Sequence, residues 1–319
     1  MRSLVTTLTA VMLMVCGVAM GVTIDTVAVG NAGNAADTTG YGAVSYNYNI
    51  GKYEVTTAQY AGFLNAVAAT DTFGLWDSAM AGAGGCQIIR SGSSGSYAYS
   101  ITSGYENRPV TSVNFWDACR FVNWLHNGQP TGAQTYGTTE DGIYALNGVL
   151  NPTNTSVSRS SEWDYAIANQ NEWYKAAYYN SATESYPYQY PTSSNSQPGT
   201  NYAPDTGNNA NYGNIIGSTL DVGTFDNSAS PYGTFDQGGN AWEWTEDIKP
   251  GDTTMRTERG GSYNMLVNYM YKQNSGSNLP HLTNISVGFR IVTVPEPATL
   301  ALLGFGTVCL IVRRKSGRR

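Results

Sequence analysis

Only three stretches of this 319-residue chain carry an apolar period long enough for a helix, and they lie far apart. Everything between them must be folded by short strands, turns and irregular connections. In EVTTAQYAGFLNAVA, Thr56 or Thr57 caps a helix whose Tyr60, Phe63, Leu64 and Val67 recur at intervals of three and four. In TSVNFWDACRFVNWLHNG, Asn114 is the expected N-cap and Asp117 suits the positive end of the helix dipole. Phe115, Ala118, Cys119, Val122 and Leu125 form the buried stripe, and Gly128 ends the helix. NQNEWYKAAYY, Asn169 to Tyr179, is the third. Short strands are expected at Val44 to Ile50, Ile101, Val110 to Val113, Trp242 to Thr245 and Val287 to Val292. Charged residues make up 13% of the chain while Gly, Ser, Asn and Tyr are frequent, which argues against a helical bundle. The expectation is one α+β domain with little regular structure for its size.

The two ends read differently. MRSLVTTLTAVMLMVCGVAMG has a basic Arg2, an apolar run from Leu4 to Met20 and small residues at Ala19 and Gly21, the pattern of a secretory signal over residues 1–21. The domain proper spans 22–293. Residues 294–319 hold Val294-Pro295-Glu296-Pro297, an apolar run from Ala298 to Val312 and a basic tail from Arg313 to Arg319. At ~1.5 Å per residue the run reaches about 22 Å, short of the ~30 Å hydrocarbon core. The order of the parts resembles the PEP-CTERM sorting signal of Gram-negative bacteria, with Pro295, Glu296 and Pro297 as its motif. That resemblance implies an exosortase-type protease as partner, a transient membrane anchor, and a place in the cell envelope or extracellular matrix. The alternative is an ordinary single-span anchor with its basic end inside.

Without residues 1–21 and 298–319, 11 basic side chains face 23 acidic ones, a net charge near −12. Such a surface disfavours nucleic acid and is compatible with divalent cations or basic partners. Cys16 and Cys309 belong to the ends. Cys86 and Cys119 remain, and they either pair in an oxidising compartment or stay as buried thiols.

Between the ends, NIGKYEVTTAQYAGFLNAV, RPVTSVNFWDACRFVNWLHNG, NEWYKAAYY, SPYGTFDQGGNAWEWTEDI, RGGSY and VGFRIV follow one another in an order similar to the formylglycine-generating-enzyme, or sulfatase-modifying-factor, family. TTEDGIY, Thr138 to Tyr144, sharpens the likeness to members bearing a PEP-CTERM tail. The resemblance implies a divergent C-type lectin-like fold. It also implies calcium held by Asp236 and Glu243 with the carbonyls of Gly239 and Ala241, oxygen donors that suit a hard cation. A second calcium site would begin at Asn211 and Tyr212, with Asp221 as a candidate later ligand.

In RGGSYNMLVNYMYKQNSG the turn is expected to lead into an alternating strand. The catalytic members carry two copper-binding cysteines there, and the matching positions are Met265 and Met270. A thioether is no thiolate and forms no mixed disulfide, so neither copper nor formylglycine chemistry is expected. His126 and His281 lack the spacing of a histidine metal motif, and Glu172 is expected to be structural. No Ser nucleophile elbow, phosphate loop or CxxC is present. Loops rich in Tyr, Trp, Asn and Asp suit a polysaccharide or peptide ligand. The rivals are an enzyme with unfamiliar or carboxylate-held-metal chemistry, and a purely structural matrix protein.

Overall fold

The helices form where local chemistry places them. In the structure, a computed structural model that describes residues 21–295, helix α1 runs Thr57–Val67, α2 Phe115–His126 and α3 Gln170–Tyr178. Each starts with a capping box: Thr56 with Gln59, Asn114 with Asp117, and Asn169 with Glu172. In each box two backbone N–H groups that the helix leaves unpaired gain an acceptor. Among the described residues no helix is long and apolar enough to cross a membrane.

The strands are β1 (Thr26–Val29), β2 (Tyr48–Gly51), β3 (Ile88–Ser91), β4 (Ala98–Ile101), β5 (Tyr165–Ile167), β6 (Trp242–Ile248), β7 (Arg256–Arg259), β8 (Gly276–Asn278), β9 (Val287–Phe289) and β10 (Ile291–Thr293). They make a sheet ordered β1-β2-β10-β5, a β3-β4 hairpin and a sheet ordered β8-β7-β6-β9. The run Val287 to Val292, expected as one strand, is two. Val287 and Phe289 pair in parallel with Trp242 and Trp244, whereas Val292 pairs antiparallel with Ile50 and Ala166. The break falls at Arg290, so the chain changes sheet there. Val110 to Val113 is not a strand, because Ser112 takes a left-handed backbone (φ 61) and donates its N–H to Asn284 O.

The largest apolar cluster lies between α1, α2 and the β6–β9 edge. Phe121 meets Phe63 edge-on at 5.4 Å and Phe289 at 5.5 Å, and Trp244 packs on Phe115. A second cluster sets α3 against β2 and β10 through Trp173, Tyr174, Tyr48 and Val292. Cys86 and Cys119 are free and buried in the first cluster; burial pushes both thiols up, and the Cys86 thiol donates to Thr111 O. The buried-thiol alternative is therefore the one realised.

Candidate functional site

Where the chain changes sheet, Arg290 enters the interior completely. Its Nη2 and Nε reach Glu243 at 2.7 and 2.9 Å, while Nη1 donates to Gly51 O and Nη2 to Phe235 O. Glu243 is equally buried and takes a further hydrogen bond from Trp173 Nε1 at 2.7 Å. Burial alone would lower the Arg290 pKa, but the Glu243 carboxylate beside it holds it above the ordinary value. Trp242 and Trp244 face the large apolar cluster on the other side of β6, as the strand period requires.

Two more carboxyls press on this pair. Glu54, 2% exposed, accepts from Asn240 Nδ2 at 3.3 Å, and its Oε2 has no partner among the described residues. Burial, and then the Asp236 charge, push the Glu54 carboxyl well above the usual range. Asp236 accepts from Gly223 N at 2.6 Å and is raised to about 6, chiefly by burial of its carboxyl.

The residues expected to hold calcium are close in the fold but do not converge as expected. Gly239 (φ 81) passes so near Asn211 that an added Cβ would lie 2.2 Å from Asn211 O, which makes glycine obligatory there. Asn240, not singled out from the sequence, joins the two segments: its N–H donates to Asn211 O and its Oδ1 accepts from Asn211 Nδ2. Ala241 is buried, Tyr212 donates its hydroxyl to Pro198 O, and Asp221 is exposed. Both Glu243 oxygens accept from Arg290 and Trp173, so a cation in the shell implied by the resemblance would compete with these donors for the carboxylate. Among the described residues no group of three or more His, Cys, Asp or Glu side chains is arranged to hold a metal ion. Thermal unfolding is expected to move by less than about 1 °C between calcium and chelator, under the ~2–4 °C that 1 kcal/mol produces in a domain this size. A larger shift would mean that Glu243 leaves Arg290 in solution.

The RGGSY segment also differs from expectation. Strand β7 precedes the turn rather than following it. Gly260 (φ 98) and Gly261 (φ 75) bend the chain, and residues 262–271 form turns and a short 3-10 helix, Val267–Met270. The backbone there turns on itself, Met265 N to Ser262 O and Tyr269 N to Leu266 O, and its longer-range bonds, such as Gly213 N to Met265 O and Tyr263 N to Asn240 O, are isolated rather than a strand ladder. The two methionines pack in different places. Met265 is half-buried against the large cluster, while Met270 is buried with Tyr190 and Ala210 and accepts from Tyr178 OH through its carbonyl.

Other candidates resolve into architecture. Glu172, fully buried, completes the α3 capping box and binds Arg159 at 2.8 Å, and Arg159 also pairs with Glu246. Within TTEDGIY, Glu140 forms a two-point ion pair with Arg120. His126 bonds Asp164 at the C-terminal end of α2, and His281 lies near its N-terminal end beside Trp116. Missed in the sequence was Glu258 on β7, 6% exposed and with Oε1 unpartnered. The one signal was an acidic residue two places before the double glycine, in a strand that is otherwise buried.

Three capped helices, two sheets exchanging a strand through Arg290 and long irregular loops define a single α+β domain of the formylglycine-generating-enzyme type, a divergent C-type lectin-like fold. Residues 26–294 match the sulfatase-modifying factor enzyme 1-like domain, and the chain belongs to that family. Residues 293–315 match the PEP-CTERM protein-sorting motif, which marks the chain for export and for processing by an exosortase-type system. Glu296, Pro297, the apolar run, the basic tail and residues 1–20 of the expected N-terminal signal lie outside the described residues.

Among solved structures, the crystal structure of CarF is similar, with TM-score 0.54 and 21% identity over 86% of this chain and 100% of that one. Treponema denticola variable protein 1 follows at 0.49 and 18%, over 85% and 95%, and PvdO from Pseudomonas aeruginosa at 0.45 and 13%, over 85% and 92%. At 21% identity the likeness to CarF concerns the fold alone. No curated protein matches the chain.

Proposed function

We propose that this exported domain keeps the family's scaffold and works by binding a polysaccharide or peptide in the cell envelope or matrix, without formylglycine chemistry. The observation that carries the proposal is the pair Met265 and Met270. Neither thioether can form a thiolate or a mixed disulfide, and the buried Met270 is packed as a core side chain. Of the carboxyls gathered around Arg290, Glu243 is fully buried and claimed by the guanidinium, and Glu54 alone also lines a cleft, with Asp25, which gives a metal-dependent enzyme little support.

Incubated with a sulfatase-type cysteine peptide, with and without copper, the protein is expected to leave the cysteine intact by mass spectrometry. Formylglycine at any turnover above the copper-only control would overturn the non-catalytic part of the proposal.

A further inference from the structure

A cleft of about 360 Å3 opens at the N-terminal end of α2. Trp116 forms one wall, residues 151–155 a second, and Thr253 and Thr254, in the connection between β6 and β7, a third; Leu279, Pro280 and His281 close it. Its volume lies at the low end of the roughly 300–1,000 Å3 of small-molecule sites. The walls are tied together: Phe115 N donates to Pro280 O at 2.9 Å, and Asn154 Nδ2 to Thr253 O at 2.9 Å. The cleft is therefore formed before any ligand arrives.

Its lining departs from the net charge of the domain. In a domain with a large acidic excess, the cleft is lined by no Asp, Glu, Lys or Arg side chain. The nearest cation, Arg256, packs on Phe115 and Trp116 from behind and is committed to Asn154 and to the Val157 carbonyl. The walls instead offer four threonines and Asn151, with Leu279 and Pro280 supplying apolar surface. Trp116 is 1% exposed, and its indole N–H is a buried donor without a partner among the described residues. Buried donors are nearly always paired, so one left over in the wall of a cleft is suited to an oxygen that a ligand brings.

We propose that the cleft between Trp116, Thr254 and His281 binds a neutral, hydroxyl-rich glycan. A sugar ring presents an apolar C–H face for Leu279, and hydroxyls that donate to Thr254 Oγ1, whose own proton goes to Asp252 Oδ1 at 2.6 Å, and exchange hydrogen bonds with Asn151 and His281. One ring or hydroxyl oxygen accepts from the Trp116 indole. The absence of any charged wall disfavours a uronate or phosphate ligand, which would lose its hydration without gaining a cation. A peptide has no deep side-chain pocket here.

This site assignment rests on the binding function proposed above, and the test separates the two. The exported protein is titrated with neutral oligosaccharides (β-1,4-glucan, β-1,3-glucan and α-mannan fragments), a uronate oligosaccharide and a set of unstructured peptides. At least one neutral oligosaccharide is expected to bind at least tenfold more tightly than the uronate. Thr254→Val with His281→Ala, both at exposed positions, should weaken it at least tenfold with the unfolding midpoint unchanged, and Trp116→Phe should weaken it independently. Neutral-glycan binding untouched by all three substitutions would overturn the site while leaving the binding function standing. Binding of peptides alone would overturn the glycan, and no binding by either panel would overturn both proposals.

Discussion

Replacing Arg290 with methionine is expected to destabilise the domain by about 3–5 kcal/mol, the range for removing one partner of a buried ion pair. The side chain is fully buried and does three things at once. It neutralises Glu243, and it supplies the donors for Gly51 O and Phe235 O, which tie β2 and the loop before β6 to the strand switch. Its charge also offsets Asp236, pushed up by burial and by the Glu243 charge, and Glu54, pushed up by burial and by the Asp236 charge. Methionine fills most of the volume and leaves Glu243 with only the Trp173 indole as donor. At about 2–4 °C per kcal/mol for a domain this size, the unfolding midpoint should fall by on the order of 10 °C. The double variant Arg290→Met with Glu243→Gln should recover part of that loss, since it removes the stranded charge. A drop below 1 °C, or no recovery in the double variant, would show that the pair is not what joins the two sheets.

The second large effect concerns Glu258. An added Cβ at Gly276 would lie 3.2 Å from Glu258 Oε2 and 3.3 Å from the Trp242 ring, so the carboxyl rests against an aromatic surface in a space that only glycine leaves. Burial pushes its pKa from 4.5 to about 8. The folded state therefore holds the proton more tightly than the unfolded chain does. The stability this contributes is complete below 4.5 and is lost as the pH rises through about 8. Glu258→Gln keeps the shape and removes the titration. The variant should gain on the wild type progressively between pH 5 and 9, by about 3 kcal/mol at the upper end, under the ceiling of roughly 5 set by a shift of that size. Urea unfolding of both proteins across that range is the measurement. A difference that does not change with pH would mean that Glu258 is solvated in the folded protein.

Neither the role of Arg290, within VGFRIV, nor that of Glu258 is legible in the sequence, and the reason is general. A capping box is closed by residues three apart, so Thr56, Asn114 and Asn169 could be recognised without knowing what lies around them. The partners of Arg290 are 47 and 239 residues away. What makes its neighbourhood special is burial, which composition does not encode. The same distinction separates the elements found from those missed. Trp242 to Thr245 is legible because aromatic and polar residues alternate, whereas β1 and β5 are short segments stabilised by pairing with strands further along the chain.

The candidate site divides along the same line. The family resemblance implied that Asp236, Gly239, Ala241 and Glu243 face one cation, but a resemblance in sequence does not say which donors claim a carboxylate. Trp173 and Arg290, brought in from α3 and the strand switch, engage Glu243 first. Met265 and Met270 are five positions apart in the chain, and one double-glycine turn with a 3-10 helix is enough to send them to different clusters.

The sequence by itself determined the three helices, the double-glycine turn and the sorting motif, because each is settled by neighbouring residues. Only the tertiary structure decided that one apparent strand serves two sheets, that a guanidinium faces the WEW carboxylate, and that an uncharged cleft opens at Trp116. Each of these depends on segments far apart in the chain meeting in a low-dielectric interior, where an unpaired charge or donor is costly enough to select the arrangement.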